Sequence, residues 1–563
     1  SVSLFAEISG AGDYDRSGKR LIRRAIEAAL MERGKKMLHV EGREIVDDRG
    51  EKILLNGWGI GNWLCPEGYM WKAYGADFDR PRRIRQKIEE LTGKEYAAYF
   101  WKTFEDNYLR RADLEALKDA GFNSVRIPFI YGYFMEEGPG IHWKSRGFEL
   151  LDRCIDWCRE LGLYVVLDLH GAPGGQTGSN IDDSVDNVPR LFLERENQEK
   201  AIALWEKLAE HYCGNETVAM YDLLNEPIMP PDAGNGDHDA LIPQLLAFYE
   251  EAIASIRSRD PDHMICVEGY HWATGFDAFD RKWDDNMVLH FHRYAEPPDL
   301  DCLKQYLEAG ERLDLPIWMG ETGENRNTWY AALYPLAQSL RIGFNLWPWK
   351  KMDCTNSFCS IKIPEGYGEI LTYLETGEHP GYERARAVFD AYLENIRFEN
   401  CTLHPETADH VFRRRTFTLQ AVDFDELPGE GSSFHGSHQG EKIYRKNTSM
   451  EIVEMHPAGE RAFAFDCGWD RYGLALGPGE FAVYSFFHER RNVKVAVSIT
   501  FADGSDGEVQ AALSDGSRVH ISQETQMPVI LEAGCKDTDG QERLKISGIS
   551  GRLILDQIVV KCI

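Results

Sequence analysis

Eight short apolar segments, most of them separated by helical stretches, recur between residues 53 and 395 and constrain the fold more than any other feature. They are ILLNGWGI (53–60), FNSVRIPF (122–129), LYVVLDLH (163–170), VAMYDLLN (218–225), HMICVEG (263–269), MVLHFH (287–292), PIWMGE (316–321) and GFNLWPW (343–349). Apolar runs of this length are typical of parallel strands that are buried on both faces. Eight strand–helix repeats predict an α/β fold, the (β/α)8 or TIM barrel, whose functional side chains lie where the strands end.

The chain on either side of these repeats has a different character. Residues 15–36 form an amphipathic, basic pattern, so we assign residues 1–36 to an N-terminal helical extension and residues 37–398 to the barrel. From residue 399 the helical periodicity disappears, and short alternating segments such as FAVYSFF and RLILDQIVV follow one another between Gly/Asp turns. This pattern predicts an all-β jelly roll or sandwich over residues 399–563.

The charge of the chain restricts the partners that it can have. With 63 basic and 92 acidic residues its formal net charge is −29, so we expect no binding to nucleic acid. No run of 18 apolar residues occurs, so we expect no insertion into a membrane. Metal-ligand spacings, phosphate loops and dinucleotide fingerprints are also missing from the sequence, which predicts neither a metal nor a cofactor. No motif indicates the oligomeric state.

The cysteines and the N-terminus bear on the compartment. The twelve cysteines are scattered along the chain, as buried small side chains would be, and free thiols favour a reducing environment. The first twenty residues lack the charged-then-apolar pattern of a secretion signal. We therefore expect a cytoplasmic protein, or a secreted one if a leader has been removed.

Two glutamates stand at the ends of two predicted strands, Glu226 in LLNEP and Glu321 in PIWMGE. Retaining hydrolysis of a glycosidic bond needs two such carboxyl groups facing each other across the bond. One protonates the leaving oxygen, and the other attacks the anomeric carbon. We predict that Glu226 is the acid/base and that Glu321 is the nucleophile.

Further polar and aromatic residues stand at or near the same strand ends. FNSVRIP carries Arg126, LDLHG carries His170, LNEP carries Asn225, HFHRY carries His292 and Tyr294, and NLWPWK carries Trp347. This ordered set resembles glycoside hydrolase family 5, which belongs to the clan A β-glycosidases. The resemblance implies that Arg126 and Tyr294 contact Glu321 and that Asn225 binds the sugar 2-hydroxyl. It also implies that His170 and His292 contact the substrate or orient Glu226, and that Trp347 forms the floor of the −1 subsite.

Two segments are similar to the exo-β-1,3-glucanase branch of that family, DLHGAPGGQTG (168–178) and GNWLCPEGYMW (61–71). The similarity implies a β-glucosidase or exo-β-glucanase acting on an oligosaccharide or β-glycoside, with Glu67 contacting the non-reducing sugar. A β-mannosidase, an endo-β-mannanase or another β-glycanase with the same mechanism is the alternative, because the same residues serve both glucose and mannose. A carbohydrate-binding protein without activity is disfavoured, because both glutamates are present. Four tryptophans either line further subsites or pack in the core: Trp63, Trp71, Trp272 and Trp283.

The C-terminal segments TLQAVDFDE, GEFAVYSF and GRLILDQIVV resemble carbohydrate-binding module family 6. The resemblance implies a sugar-binding domain, for which Trp469 and Tyr472 are the candidate contacts. Val422 and Ile554 depart from the pattern, at positions where that family usually carries a calcium ligand and a sugar-binding Asn. The alternative is a domain that packs against the barrel and shapes its cleft.

Overall fold

The computed structural model describes residues 37–563 except residues 76, 235, 458, 489–492, 515 and 534–539. The predicted helical extension over residues 1–36 lies outside the described residues. The described chain begins with a small hairpin of β1 (His39–Glu41) and β2 (Glu44–Val46), continues into a barrel, and ends in a strand-rich domain.

The barrel is closed and consists of eight parallel strands, which confirms the predicted TIM-barrel fold. Its strands are β3 (Asn56–Gly59), β4 (Ser124–Ile130), β5 (Tyr164–Gly171), β6 (Val218–Asp222), β7 (Met264–Glu268), β8 (Met287–Arg293), β9 (Ile317–Gly323) and β10 (Gly343–Trp347). They follow one another around the barrel in chain order, and β10 closes it by pairing with β3. Each of the eight apolar segments therefore contributes one strand.

Helices surround the barrel. In chain order they are α1 (Pro81–Thr92), α2 (Lys94–Tyr108), α3 (Arg111–Asp119), α4 (Arg146–Leu161), α5 (Arg195–Tyr212), α6 (Ile242–Arg257), α7 (Lys304–Leu313), α8 (Asn327–Ser339), α9 (Tyr367–Thr376), α10 (Tyr382–Asn395) and α11 (Pro405–Val411). Helix α4 illustrates how the sequence specifies them. Leu151, Cys154, Ile155 and Cys158 share its buried face, and the helix ends at Gly162, whose φ of 68° suits glycine.

A small sheet continues the chain after the barrel closes. Strands β11 (Lys350–Met352), β12 (Cys359–Ile361) and β13 (Thr402–Leu403) pair in that order, so the chain stays attached to the barrel up to Leu403. The buried ammonium group of Lys350 joins this sheet to the helices. It lies 2.7 Å from Asp113 Oδ1 and donates to the carbonyl oxygens of Tyr108 and Ile396.

The C-terminal domain is all-β, as predicted, and takes the form of a ten-stranded sheet. Its strands are β14 (Thr416–Gln420), β15 (Phe434–His435), β16 (Glu451–Glu454), β17 (Tyr472–Leu476), β18 (Phe481–Phe487), β19 (Val493–Phe501), β20 (Asp506–Ala512), β21 (Arg518–Ile521), β22 (Val529–Ala533) and β23 (Gln541–Cys562). The first half of β23 pairs with β18 and β20, and its second half pairs with β14, β17 and β19. The long strand β23 thus connects the two halves of the sheet.

The C-terminal domain packs directly on the barrel. Helix α8 of the barrel contacts both α11 and β14, and the buried guanidinium of Arg413 donates to Ala331 O at 2.6 Å. Within the described ranges, none of the helices combines the length and the apolar character that crossing a lipid bilayer requires.

Candidate active site

The side chains at the carboxyl end of the barrel surround one buried guanidinium, that of Arg126 on β4. Its Nη1 donates to Glu321 Oε2 at 2.7 Å, and its Nη2 donates to Asn225 Oδ1 and to Glu268 Oε1, both at 2.8 Å. Its Nε donates to Asp222 Oδ2 at 2.9 Å, and Asp168 Oδ2 lies 3.1 Å from Nη2. The predicted contact between Arg126 and Glu321 is therefore present, and Arg126 also orients the Asn225 amide.

Several acid, histidine and cysteine side chains come close enough to hold a metal ion. Among the described residues there are four such groups, of which one consists of Asp168, Asp222 and Glu268. Arg126 is ion-paired with all three of these carboxylates. In this group the guanidinium thus supplies the positive charge that a metal ion would otherwise supply.

Glu321 lies on β9, where a bulge changes the register. Phe291 pairs with Met319 but His292 pairs with Glu321, so Gly320 is the additional residue. A side chain at Gly320 would collide with the His290 ring, because a Cβ there would lie 2.1 Å from its Nε2. Bulges of this kind redirect a side chain, and here Glu321 turns into the barrel.

Two donors hold the Glu321 carboxylate. Tyr294 donates its hydroxyl to Oε1 at 2.7 Å, and Arg126 donates to Oε2. Burial alone raises a carboxyl pKa, but His292, Arg126 and the Tyr294 hydrogen bond outweigh it and lower the pKa of Glu321 below its usual value. Glu321 is consequently ionised at neutral pH.

Glu226 follows β6 with a backbone φ of 42°, in the left-handed region that favours glycine. Its amide donates to Glu268 Oε2 at 2.6 Å, and its carbonyl accepts a hydrogen bond from Thr177 Oγ1 at 2.7 Å. Gln176 Nε2 holds the neighbouring carbonyl of Asn225 at 2.9 Å. These three contacts fix a conformation that costs on the order of 1 kcal/mol or more in isolation.

The Glu226 side chain is 12% exposed and contacts His292, whose Nδ1 lies 2.6 Å from Oε1. Burial of the His292 ring opposes its charged form, but Glu268, Glu321 and Glu226 outweigh this and raise its pKa well above the usual value. One carboxylate oxygen of Glu226 and one of Glu321 lie within 4.8 Å of each other. Both carboxyl groups thus open onto the same small space.

His170, Asn225 and Trp347 line the same space. His170 Nδ1 lies 2.8 Å from Asp168 Oδ2, and the Asn225 amide nitrogen lies 3.3 Å from His170 Nε2. Burial and Arg126 lower the pKa of His170 to about 4, so the ring is neutral and its Nε2 accepts from Asn225. The Trp347 ring stacks on His170 at 5.3 Å, and its Nε1 donates to Tyr69 at 2.9 Å.

Glu67 is 2% exposed, and none of the described residues donates a hydrogen bond to its carboxylate. Burial, followed by the negative charges of Glu321, Glu324 and Glu226, raises its pKa well above the usual value. Its neighbour Tyr69 is bonded to both Trp347 and Glu324. The structure therefore places Glu67 beside the two central glutamates, as a buried acid without a protein partner among the described residues.

All nine predicted site residues lie at this end of the barrel, and the structure decides between the two alternatives for most of the four tryptophans. Trp63 and Trp71 are fully buried and donate to Glu105 O and Asn62 Oδ1, so they cannot line subsites. Trp283 packs against Tyr249 and Phe279. Trp272 is partly exposed, in a turn where His271, Trp272 and Ala273 all have positive φ.

The two candidate sugar contacts of the C-terminal domain are also buried. Trp469 is 1% exposed and donates to Asp423 Oδ2 at 2.9 Å, and Tyr472 stacks on Tyr444. Neither ring offers a free face for a sugar. Sequence reasoning did not assign roles to Gln176, Thr177 or Tyr69, although the motifs that contain them were recognised. Glu268 could not be assigned from the sequence either, because the spacing of an acid does not show whether it is buried and orients other groups.

Known proteins are similar in sequence to the barrel. Residues 86–353 match the model of the cellulase family, glycosyl hydrolase family 5. The barrel is thus similar in sequence to glycosyl hydrolase family 5 over these residues. The chain is 33% identical over 261 residues to a protein named "Beta-xylosidase" from Phanerodontia chrysosporium, with 46% of this chain and 52% of the relative covered. It is 29% identical over 287 residues to a "Probable glucan 1,3-beta-glucosidase A" from Emericella nidulans, with 48% and 67% covered.

The matched stretch thus spans about half to two thirds of the length of these two relatives. Among solved structures, an endogalactoceramidase matches 92% of this chain and 99% of its own, at 17% identity and a TM-score of 0.47. The likeness to family 5 rests on the sequence matches and not on this structural one.

Proposed function

We propose that the protein is a retaining glycoside hydrolase that cleaves β-glucosidic bonds by double displacement. The observation that carries this proposal is the separation of at most 4.8 Å between carboxylate oxygens of Glu226 and Glu321. Retaining enzymes hold their two carboxyl groups roughly 5–5.5 Å apart, whereas inverting enzymes leave about 6.5–9.5 Å for a water molecule. The gap between the two glutamates fits direct attack on the sugar.

Glu321 is the nucleophile of the proposed reaction. Its lowered pKa keeps it ionised, and its two donors, Arg126 and Tyr294, hold the carboxylate still. Attack on the anomeric carbon forms a glycosyl-enzyme ester and expels the leaving oxygen. The ester is then hydrolysed, so that the product retains its configuration.

Glu226 is the acid/base. Its Oε1 lies 2.6 Å from Nδ1 of His292, whose pKa is raised well above its usual value by the surrounding carboxylates. In the first step Glu226 gives a proton to the leaving oxygen. In the second step the same carboxylate takes a proton from the attacking water.

The other residues bind the sugar. The Asn225 amide, fixed by Arg126 on one side and His170 on the other, is the donor for the 2-hydroxyl. Trp347 forms the floor on which the apolar face of the ring stacks. Glu67 has acceptor capacity left for hydroxyls of the terminal sugar, which supports action at the non-reducing end, as in the exo-β-1,3-glucanase branch.

The identity of the sugar is the finer part of the proposal. One relative is named a β-xylosidase and the other a probable glucan 1,3-β-glucosidase, and both names refer to β-linked sugars. We propose β-glucosides first, with β-xylosides and β-mannosides as the competing substrates. The residues described above carry out every proposed step, so the mechanism requires no metal and no cofactor.

A panel of nitrophenyl β-glycosides and β-linked disaccharides tests the substrate. The proposal expects release of nitrophenol from the glucoside, with glucose as the first product from an oligosaccharide. Faster turnover of the xyloside or mannoside would reassign the sugar and keep the mechanism. Absence of turnover on the whole panel by folded protein would refute the activity.

Azide rescue tests the role of Glu321. Glu321→Gly should abolish hydrolysis, and added azide should restore nitrophenol release with an inverted glycosyl azide as the product. Glu324→Gly is the matched control, since Glu324 lies three residues further on and pairs with Lys351. It should gain nothing from azide. Full activity of Glu321→Gly without azide would refute the assignment.

For the compartment we propose a reducing one, as in the cytoplasm. All eleven cysteines of the described residues are unpaired, which supports this proposal. Thiol titration of protein isolated from its natural source and denatured without a reductant should find these thiols free. Titration of few or none would contradict it.

A further inference from the structure

A loop of the C-terminal domain lies on the barrel beside the candidate active site. We call residues 461–468, between β16 and β17, the aromatic loop, because they include Phe463 and Phe465. Asn325 Nδ2, just after β9, donates to Phe465 O at 2.9 Å. The aromatic loop is thus attached to the segment that follows Glu321 in the chain.

One carboxylate holds the aromatic loop in its shape. Asp466, whose side chain is 2% exposed, accepts hydrogen bonds from the amides of Ala462 and Gly468, both at 3.1 Å. Its Oδ2 also accepts from Arg326 Nε of the barrel at 2.7 Å. The same contact therefore closes the loop and fixes it to the barrel.

The Phe465 ring stacks on Tyr294, with the ring centroids 4.6 Å apart and the planes inclined by 29°. Tyr294 is the residue whose hydroxyl donates to Glu321 Oε1 at 2.7 Å. Phe465 and Tyr294 are both partly exposed, so the pair lies at the open end of the barrel. Only one ring separates the C-terminal domain from the Glu321 carboxylate.

The C-terminal domain also holds the segment that follows Tyr294. Leu300 N donates to Glu426 Oε1 at 3.0 Å, and Asn447 Nδ2 donates to Asp301 Oδ1 at 2.8 Å. Asp299 Oδ2 accepts from Arg445 N at 3.2 Å. The segments after β8 and β9, which both adjoin the candidate nucleophile, are therefore anchored to this domain.

We propose that Phe465 is a positioning residue, which holds the Tyr294 ring so that its hydroxyl remains on Glu321. The C-terminal domain then completes the active site and does not serve only as a sugar-binding attachment. The inference rests on the proposed function. Its physical basis is that a tyrosine ring has few internal rotations, so one stacked neighbour on a fixed loop suffices to restrict it.

The test is Phe465→Ala, measured as a full pH profile of kcat and kcat/KM on the best substrate of the parent enzyme. We expect kcat to fall by about tenfold or more, because small misplacements of reacting groups are costly, with KM changed much less. The Tyr294 hydrogen bond lowers the pKa of Glu321. Its loss should therefore move the acid limb of the profile to higher pH, and Phe465→Tyr, which keeps the ring, should restore both properties.

Two controls make the test specific. Phe501→Ala removes a partly buried phenylalanine at the end of β19 in the same domain, and it should leave the acid limb in place. In the Tyr294→Phe background, Phe465→Ala should add little further loss, because both changes remove the same hydrogen bond. Thermal unfolding of every variant separates loss of folding from loss of positioning.

An unchanged acid limb in folded Phe465→Ala would overturn the inference, whatever happens to its stability. An equal additional loss in the Tyr294→Phe background would overturn it as well. Failure of the proposed function is distinguishable, since it would appear as a parent enzyme that turns over no glycoside. A parent enzyme that works and is insensitive to the Phe465 change would refute this inference alone.

Discussion

Glu226 Oε1 lies 2.6 Å from His292 Nδ1, while Nε2 of the same ring lies 3.5 Å from Glu268 and 3.7 Å from Glu321. The imidazole therefore contacts three carboxylates at once. This arrangement raises the pKa of His292 and places its ring directly against the candidate acid.

Glu226→Gln should slow the hydrolysis of substrates with a strongly basic leaving group far more than that of substrates with a weakly basic one. An acid is needed most when the departing oxygen is strongly basic, so hydrolysis of a disaccharide should fall by about 10²–10⁴-fold. The first chemical step on a dinitrophenyl glycoside should be nearly preserved. Pre-steady-state release of dinitrophenol measures this, and an equal loss on both substrates would contradict the role of Glu226.

His292 should make the free energy of unfolding decrease as the pH becomes alkaline. Because its pKa is raised in the folded protein, its contribution is complete below about pH 6.5, the unfolded value, and is lost as pH rises through the folded value. Urea unfolding at several pH values should show the free energy of unfolding decreasing above neutrality. His292→Gln should flatten that decrease, and parallel curves for the two proteins would rule out the effect.

Gly59→Ala should damage the floor of the site. A Cβ at Gly59 would lie 2.4 Å from Trp347 Cε3, so the indole must move. We expect kcat/KM to fall by about tenfold or more and the protein to lose about 1–3 kcal/mol of stability. Gly368→Ala, in α9 with no atom within 4 Å of the added Cβ, is the control and should stabilise slightly.

Arg126→Met should be severely destabilising. It leaves the buried carboxylates of Asp168, Asp222, Glu268 and Glu321 without their shared cation, and breaking a buried pair in this way costs about 3–5 kcal/mol. Arg111→Met removes an exposed arginine that pairs with Glu115 and should leave the denaturant midpoint nearly unchanged, because exposed ion pairs contribute little. Denaturant midpoints of the two variants are compared. Similar losses of stability would show that the buried carboxylates do not need the Arg126 cation.

The barrel and the set of site residues could be predicted because both follow from local patterns. A strand buried on both faces appears as an apolar run, and its last residues point into the cleft, so Glu226 and Trp347 could be placed from the sequence. The bulge at Gly320 and the left-handed backbone of Glu226 could not. They depend on contacts with His290, Glu268 and Thr177 that form only when the barrel closes.

Residues whose surroundings come from distant parts of the chain could not be assigned from the sequence. Trp63, Trp71 and Trp469 were candidates for sugar contacts, but all three are buried. The sequence alone does not distinguish a tryptophan that stacks on a sugar from one that fills a core. Phe465 was missed for the opposite reason. It lies 140 residues after Asn325, to which it is bonded, in a domain whose packing on the barrel no local pattern indicates.

Gln176 and Thr177, in the segment after β5, hold the carbonyls of Asn225 and Glu226. Because of these two hydrogen bonds, that segment cannot move outward without displacing the backbone of Glu226. A substrate of the proposed reaction would therefore enter and leave past other parts of the rim. An insertion or a crosslink in this segment would therefore change the rate of bond cleavage. The rate of product release would depend on other segments of the rim.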